Sequence, residues 1–318
     1  MEMNDSTLSP IAIFGYDRPI HMQNLLSSLM ENSESRESDV YFFIDGIKNE
    51  TNLANHQSVI EIINKNWGFK NKNIIIREDN FGCRRNIIEG VNQVLKLHKR
   101  IIVLEDDLTV GKYFLNYMNK SLTKYELREE IWHINSWSHP KSYSSATRTA
   151  LSRYISPWGW GTWENRWDKF MRSEFINNNI ISTKDESTIK KFNVSNLYDW
   201  ENILIKHEQN QGSIWDAYWY QAIFLNHGYS IFPTTSHTQN YGFDGTGLHC
   251  GENNEFDTKI NIQKTTNYTN QTSESKFYLL SFKLFYFRIK MKDYISFHKD
   301  KFSSPASFVR FLKKKILS

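Results

Sequence analysis

The chain has 318 residues, 39% of them hydrophobic and 23% charged, and a net charge of +4, which is enough apolar material for a sizeable core and excludes global disorder. Its two cysteines, Cys83 and Cys250, exclude a disulfide framework and fit a reducing compartment. The lack of any run of about eighteen apolar residues argues against a spanning helix, and the acidic start Met1-Glu2-Met3-Asn4-Asp5 is unlike a signal peptide, so the expected location is cytoplasmic or peripheral on the inner face of the cell membrane.

In chain order, Ile11–Phe14 reads as a strand and about Ile20–Met30 as a helix. Val40–Ile44 is a second apolar strand ending at Asp45-Gly46, followed by a helix near Leu53–Asn66, a strand at Ile74–Ile76 and a helix over about Arg85–Leu97. Ile101–Leu104 is a short apolar run of the buried parallel kind, with Glu105-Asp106-Asp107 directly at its end. A helix over about Lys112–Lys124 and a strand near Trp132–Asn135 complete a βαβ-type unit. Asp17, Asp45 and the acidic triplet all fall at strand C-termini, the edge where open parallel sheets bind ligands. Further on, Pro157–Trp163 reads as a Gly/Trp-rich turn leading into a helix, and Asn177–Asn196 as a polar surface insertion. A helix over about Asp216–Asn226 precedes a strand near Tyr229–Phe232; Asn240–Gly251 is a Gly-rich loop, and Asn253–Ser275 reads as polar and poorly ordered.

Three adjacent carboxylates repel one another unless a cation or a donor network balances them. Hard divalent ions such as Mn²⁺ or Mg²⁺ take oxygen ligands and accept phosphate oxygens in the same shell, so an ion here would bridge to a diphosphate. The plainer alternative is an acidic turn opening the next helix, where carboxylates favour the dipole.

The order of these segments resembles GT-A glycosyltransferases, in particular the inverting N-acetylglucosaminyltransferase I type. The resemblance rests on Ile11-Ala12-Ile13-Phe14-Gly15-Tyr16-Asp17-Arg18, Phe42-Phe43-Ile44-Asp45-Gly46, Glu105-Asp106-Asp107-Leu108, Trp158-Gly159-Trp160-Gly161-Thr162-Trp163, Trp215-Asp216 and Tyr241-Gly242-Phe243-Asp244-Gly245-Thr246-Gly247, over about Pro10–Cys250. It implies a GT-A (Rossmann-like) fold: a mixed, mainly parallel sheet flanked by helices, here with a basic aromatic helical C-terminal tail. The implied organisation is a catalytic domain over 1–252 (nucleotide-binding half about 10–136, acceptor half about 137–252), a polar linker 253–275 and a basic amphipathic segment 276–318. By the same resemblance Arg18 and Asp45 contact the nucleotide, Asp106 approaches the ribose or diphosphate, Asp107 binds Mn²⁺ and Glu105 lies near the donor sugar. Thr246-Gly247 belongs to a loop closing over the nucleotide, and a UDP-type donor is the family default. The family's His on the helix before the acidic strand has no counterpart; Arg84, Arg85 or Asn86 occupies that region.

An inverting transferase needs a carboxylate to take the acceptor's proton, and Asp216 fills that place by resemblance; alternatively Ser213-Ile214-Trp215-Asp216 is a capping box. Trp158, Trp160 and Trp215 either wall an acceptor or sugar pocket or anchor a core. His249 is a candidate second metal ligand, with His237 a weaker rival. From Lys276 to Ser318, eleven Lys/Arg against two Asp give +9 and leave −5 for the rest. That segment reads as an interfacial helix for an anionic membrane, suited to a lipid-linked glycan acceptor of surface-polysaccharide assembly; the other reading has it packed on the domain. Nucleic acid is not expected as a partner, because the acidic body would repel phosphate. The rival functions are a sugar-phosphate nucleotidyltransferase, which lacks its Gly-rich phosphate loop here, and a catalytically silent membrane-associated scaffold.

Overall fold

A computed structural model describes residues 8–139, 146–173, 178–210, 214–245 and 254–297. Its centre is an eight-stranded sheet. The strands are β1 (Ile11–Gly15), β2 (Asp39–Ile44), β3 (Asn71–Ile76), β4 (Arg100–Glu105), β6 (Ile131–Asn135), β7 (Thr149–Ser152), β8 (Trp160–Trp163) and β9 (Tyr229–Pro233), in the order β3-β2-β1-β4-β8-β6-β9-β7. The β3-β2-β1-β4 half is parallel, while β8 runs antiparallel between β4 and β6. A separate antiparallel pair joins β5 (Leu108–Val110) to β10 (Thr238–Asn240). The helices are α1 (Pro19–Leu29), α2 (Leu53–Asn64), α3 (Gly82–Leu97), α4 (Phe114–Tyr125), α5 (Glu164–Met171), α6 (Glu186–Phe192), α7 (Trp200–Asn210), α8 (Asp216–Leu225) and α9 (Lys276–Phe297). This is the mixed, mainly parallel α/β architecture expected, and every strand read from the first half is present.

Strand alternation divides the core. Ile11, Ile13, Phe42, Ile44, Ile102 and Leu104 face α1, α2 and α4 on one side of the sheet, whereas Ala12, Phe14, Phe43, Ile101 and Val103 join a larger aromatic cluster on the other. Trp160, Trp163, Trp167 and Trp219 are fully buried. The Trp219 ring lies 5.2 Å from Trp167, 5.3 Å from Phe170 and 5.7 Å from Trp132, and its indole N–H donates to His133 Nδ1 at 3.0 Å. Truncating Trp219 to Ala is expected to cost about 3–5 kcal/mol, read from the denaturant midpoint at unchanged m-value.

Three expectations are corrected. Trp160–Trp163 is a strand, not a turn: Gly161 is needed because β8 lies so close to β4 that a Cβ would come 2.8 Å from the Ile101 carbonyl oxygen. Residues 178–196 are not a mere surface insertion, because Ile181, Phe192 and Val194 are buried in the aromatic core. The stretch from 254 to 275 is tied down along its length. Asn261 N–H donates to the Ser236 carbonyl, Thr266 N–H to that of Thr147, and Tyr125 Oη to that of Thr269.

Burial keeps His133, His139 and His237 neutral, pulling each imidazole down to about 3. A depressed histidine leaves stability untouched above its unfolded value of about 6.5 and removes about 1.4 kcal/mol per pH unit below it, as only the unfolded chain takes up the proton. His237→Gln is therefore expected to lose about 2 kcal/mol less than wild type between about pH 7 and pH 5. The comparison of two denaturation series cancels the contribution of every other titrating group; equal losses would contradict the assignment.

Candidate active site

The strand register brings the acidic residues together. Phe14 pairs with Glu105 and Gly15 with Ile44, so β1, β2 and β4 end level. Arg18, Asp45 and the 105–107 triplet thus emerge on one edge. Asp106 accepts from the Tyr16 N–H at 3.3 Å, and Asp107 Oδ2 lies 3.3 Å from Arg18 Nη1. Arg18 is fixed in turn by its place directly before α1, whose first residue is Pro19.

All three carboxyls are held above their ordinary range. For Glu105 burial is the largest cause, followed by the charges of Asp107, Asp106 and Asp216, with Arg18 opposing. Burial and then Asp107 push Asp106 up to about 7, against Arg18 and the Tyr16 N–H. Asp107 is raised by burial and held back by Arg18 and His21. Asp216, remote in sequence, is near enough for its charge to act on Glu105, so α8 delivers a fourth carboxylate to the cluster. It is the first residue of α8, with Trp215 as the N-cap, whereas a capping box requires it three residues after the cap. Ser213 lies outside the described residues.

Among the described residues no group of three His, Cys, Asp or Glu side chains could hold a metal by itself. Mg²⁺-type sites do not require one, since one or two carboxylates plus substrate phosphates and water complete the shell. The donor set fits such an ion. It consists of hard oxygens, 21% exposed at Asp107, with an excess of negative charge that Arg18 only partly offsets.

The remaining candidate residues have partners within the protein. Asp45 accepts four hydrogen bonds besides any ligand: from the N–H groups of Gly46, Phe81 and Gly82 at 2.9, 2.7 and 2.9 Å, and from Asn80 Nδ2 at 3.2 Å. A carboxylate offers about four acceptor positions, so Asp45 shapes the turn that launches α3. Asn86 is buried, accepting from Arg77 Nε at 3.0 Å and donating to the Phe43 carbonyl at 3.3 Å. Arg84 lies over the Tyr218 ring at 5.2 Å. Trp160 and Trp215 stack on each other at 5.0 Å inside the core, at 0% and 3% exposure. Trp158 is only half-buried and packs edge-on against Phe243 and Phe256.

The Gly-rich loop begins over Asp107. Tyr241 N–H donates to the Asp107 carbonyl at 2.8 Å, and a Cβ on Gly242 would come 2.4 Å from Asp107 Oδ2, so only glycine lets the loop pass there. Asp244 Oδ2 sits 3.3 Å from His21 Nε2 of α1. Thr246, Gly247 and His249 lie outside the described residues. His237 is sealed in, stacked on Tyr117 at 4.7 Å with Nε2 at 3.0 Å from Thr265 Oγ1.

Sequence reasoning missed Cys83 and His21. Cys83 Sγ lies 3.9 Å from Glu105 Oε2, and its thiol is pushed well above the ordinary value by burial, then by Glu105, Asp216, Asp107 and Asp106. A polar loop entering α3 beside a strand-end carboxylate was the available signal.

No family model matches the chain, and no curated protein matches it. Among solved structures, S. aureus TarS 1–349 is similar at 13% identity and a TM-score of 0.41, over 72% of this chain and 59% of that one. S. aureus TarS is similar at 14% and 0.37, over 73% of this chain and 36% of that one. TarS 1–349 in complex with UDP-GlcNAc is similar at 12% and 0.37, over 72% and 57%. The chain thus spans less than two thirds of each.

Proposed function

We propose that this chain is an inverting, metal-dependent glycosyltransferase that moves a hexosyl or N-acetylhexosaminyl group from a nucleotide-diphosphate sugar, UDP type favoured, to a glycan hydroxyl. The observation that carries the reading is the convergence of Glu105, Asp106 and Asp107 on one sheet edge, their protonation raised by burial and by neighbouring carboxylates, with Asp216 of α8 near enough for its charge to act on Glu105. Asp107, with Glu105 or Asp106 beside it, would hold Mn²⁺ or Mg²⁺, which when bound supplies positive charge against the departing diphosphate. Arg18 adds a fixed cation at the same place. Asp216 takes the proton of the attacking hydroxyl as its oxygen bonds to the sugar's C1 and the C1–phosphate oxygen bond breaks; nucleoside diphosphate leaves with the electron pair. His21 and Asp244 tie the Gly-rich loop to α1 beside the proposed nucleotide side of the site, and Thr246, Gly247 and His249 follow Asp244 in the sequence. The acceptor is read as a lipid-linked glycan intermediate.

Turnover decides between this reading and its rival. Incubated with Mn²⁺, UDP-sugars and a glycan acceptor, the protein is expected to release UDP. Pyrophosphate release from a nucleoside triphosphate and a sugar phosphate would instead identify a nucleotidyltransferase, and neither release would leave a silent scaffold.

A further inference from the structure

The sequence left two readings of the C-terminal segment, packed on the domain or laid on a membrane. α9 does the first with one face and leaves a second apolar face outward. Tyr278, Phe282 and Phe285 are buried against Phe232, Tyr154, His139 and Trp137. Lys292 Nζ pairs with Glu255 at 2.5 Å, and Lys290 Nζ donates to the Asn196 carbonyl at 2.6 Å, so the helix is fixed to the body along most of its length.

The outer residues follow helical spacing. Phe277, Leu280, Leu284 and Phe287 are 63%, 56%, 48% and 39% exposed, and Ile295 is 38% exposed. At 100° per residue these fall within one narrow stripe along the helix. Lys276, Lys283 and Lys290 project along one flank and Arg288 and Lys292 along the other; the helix carries five bases and a single acid, Asp293, on a different side. Beyond the described residues the sequence adds Lys299, Lys301, Arg310 and Lys313-Lys314-Lys315 against Asp300. No described helix is long and apolar enough to cross a membrane. An apolar stripe bordered on both sides by cations matches the depth profile of a bilayer surface, with acyl chains under the stripe and anionic headgroups at the flanks.

We infer that the outer face of α9 is a docking surface for an anionic lipid bilayer, with Leu280, Leu284 and Phe287 inserted and Lys276, Lys283 and Arg288 at the headgroups. The inference is independent of the catalytic reading, because its test measures binding and needs no turnover. Since the inner face is fixed to the body, docking would also fix the orientation of the whole protein on the surface.

The test is flotation of the full-length chain with phosphatidylcholine vesicles, with and without added phosphatidylglycerol, at low salt. Wild type is expected to float with the anionic vesicles and to be released by high salt. The triple variant Leu280→Gln/Leu284→Gln/Phe287→Ser alters only exposed positions, so its circular dichroism and melting temperature should match wild type. Its vesicle affinity is expected to fall at least about tenfold. Lys276→Glu/Lys283→Glu should lower affinity for anionic vesicles while leaving the weak neutral-vesicle signal unchanged. Failure of wild type to float, or flotation of the triple variant like wild type, overturns the inference. So does a wild-type dimer in light scattering that the triple variant converts to monomer, since the stripe would then be covered by a second copy.

Discussion

Asp216→Asn is expected to lower turnover by about 10²–10⁴-fold while leaving the affinity for nucleoside diphosphate almost unchanged. The amide keeps the shape and loses the ability to take a proton, and Asp216 comes from α8 rather than from the strand ends proposed to hold the donor. Stability supplies an independent reading. Asp216 is one of the charges that raise Glu105, so removing it relieves repulsion, and the variant should melt no lower than wild type. A purely structural Asp216 gives the opposite pair of results, full turnover with a lowered melting temperature.

Asp107→Asn is the second large effect. Without the charge that would hold the divalent ion, turnover is expected to fall on the order of 10³-fold, several kcal/mol of transition-state stabilisation. Cation-dependent stabilisation by UDP should vanish with it; in wild type that stabilisation is about 2.7 kcal/mol at about one hundred times the dissociation constant. The metal-free variant should be at least as stable as metal-free wild type, because one of the carboxylates crowding Glu105 and Asp106 is gone. Loss of turnover together with retained Mn²⁺ dependence of UDP binding would move the ion to other residues.

What could be read from the sequence was what local pattern encodes. Ile101–Leu104 followed by three acids has the signature of a buried strand ending at a ligand edge, and β4 ends there. β8 was misread because its glycine and tryptophans are turn signals in isolation; only the neighbouring Ile101 carbonyl explains Gly161, and only the packed core explains the indoles. β7, with the sequence Thr-Ala-Leu-Ser, is too short and polar to register as a strand. Asp45 illustrates a different limit. Its place at a strand end was legible, but two of the three N–H groups and the Asn80 amide that fill its acceptor positions come from a turn more than thirty residues away. His21 and Cys83 likewise gain their significance from Asp244 and Glu105, partners that no spacing rule connects to them. The tail was half legible: composition gave its basic aromatic character, while the division of α9 into an inner and an outer apolar face needed the packed body.

Calorimetric titration of wild type with UDP, in the presence and absence of Mn²⁺, puts the acidic edge to the most direct test. If these carboxylates assemble around a cation that receives the diphosphate, UDP will bind at least about tenfold more tightly with Mn²⁺ than without it, a gain of about 1.4 kcal/mol or more. Equal affinity in the two buffers, or no binding in either, would contradict that assignment.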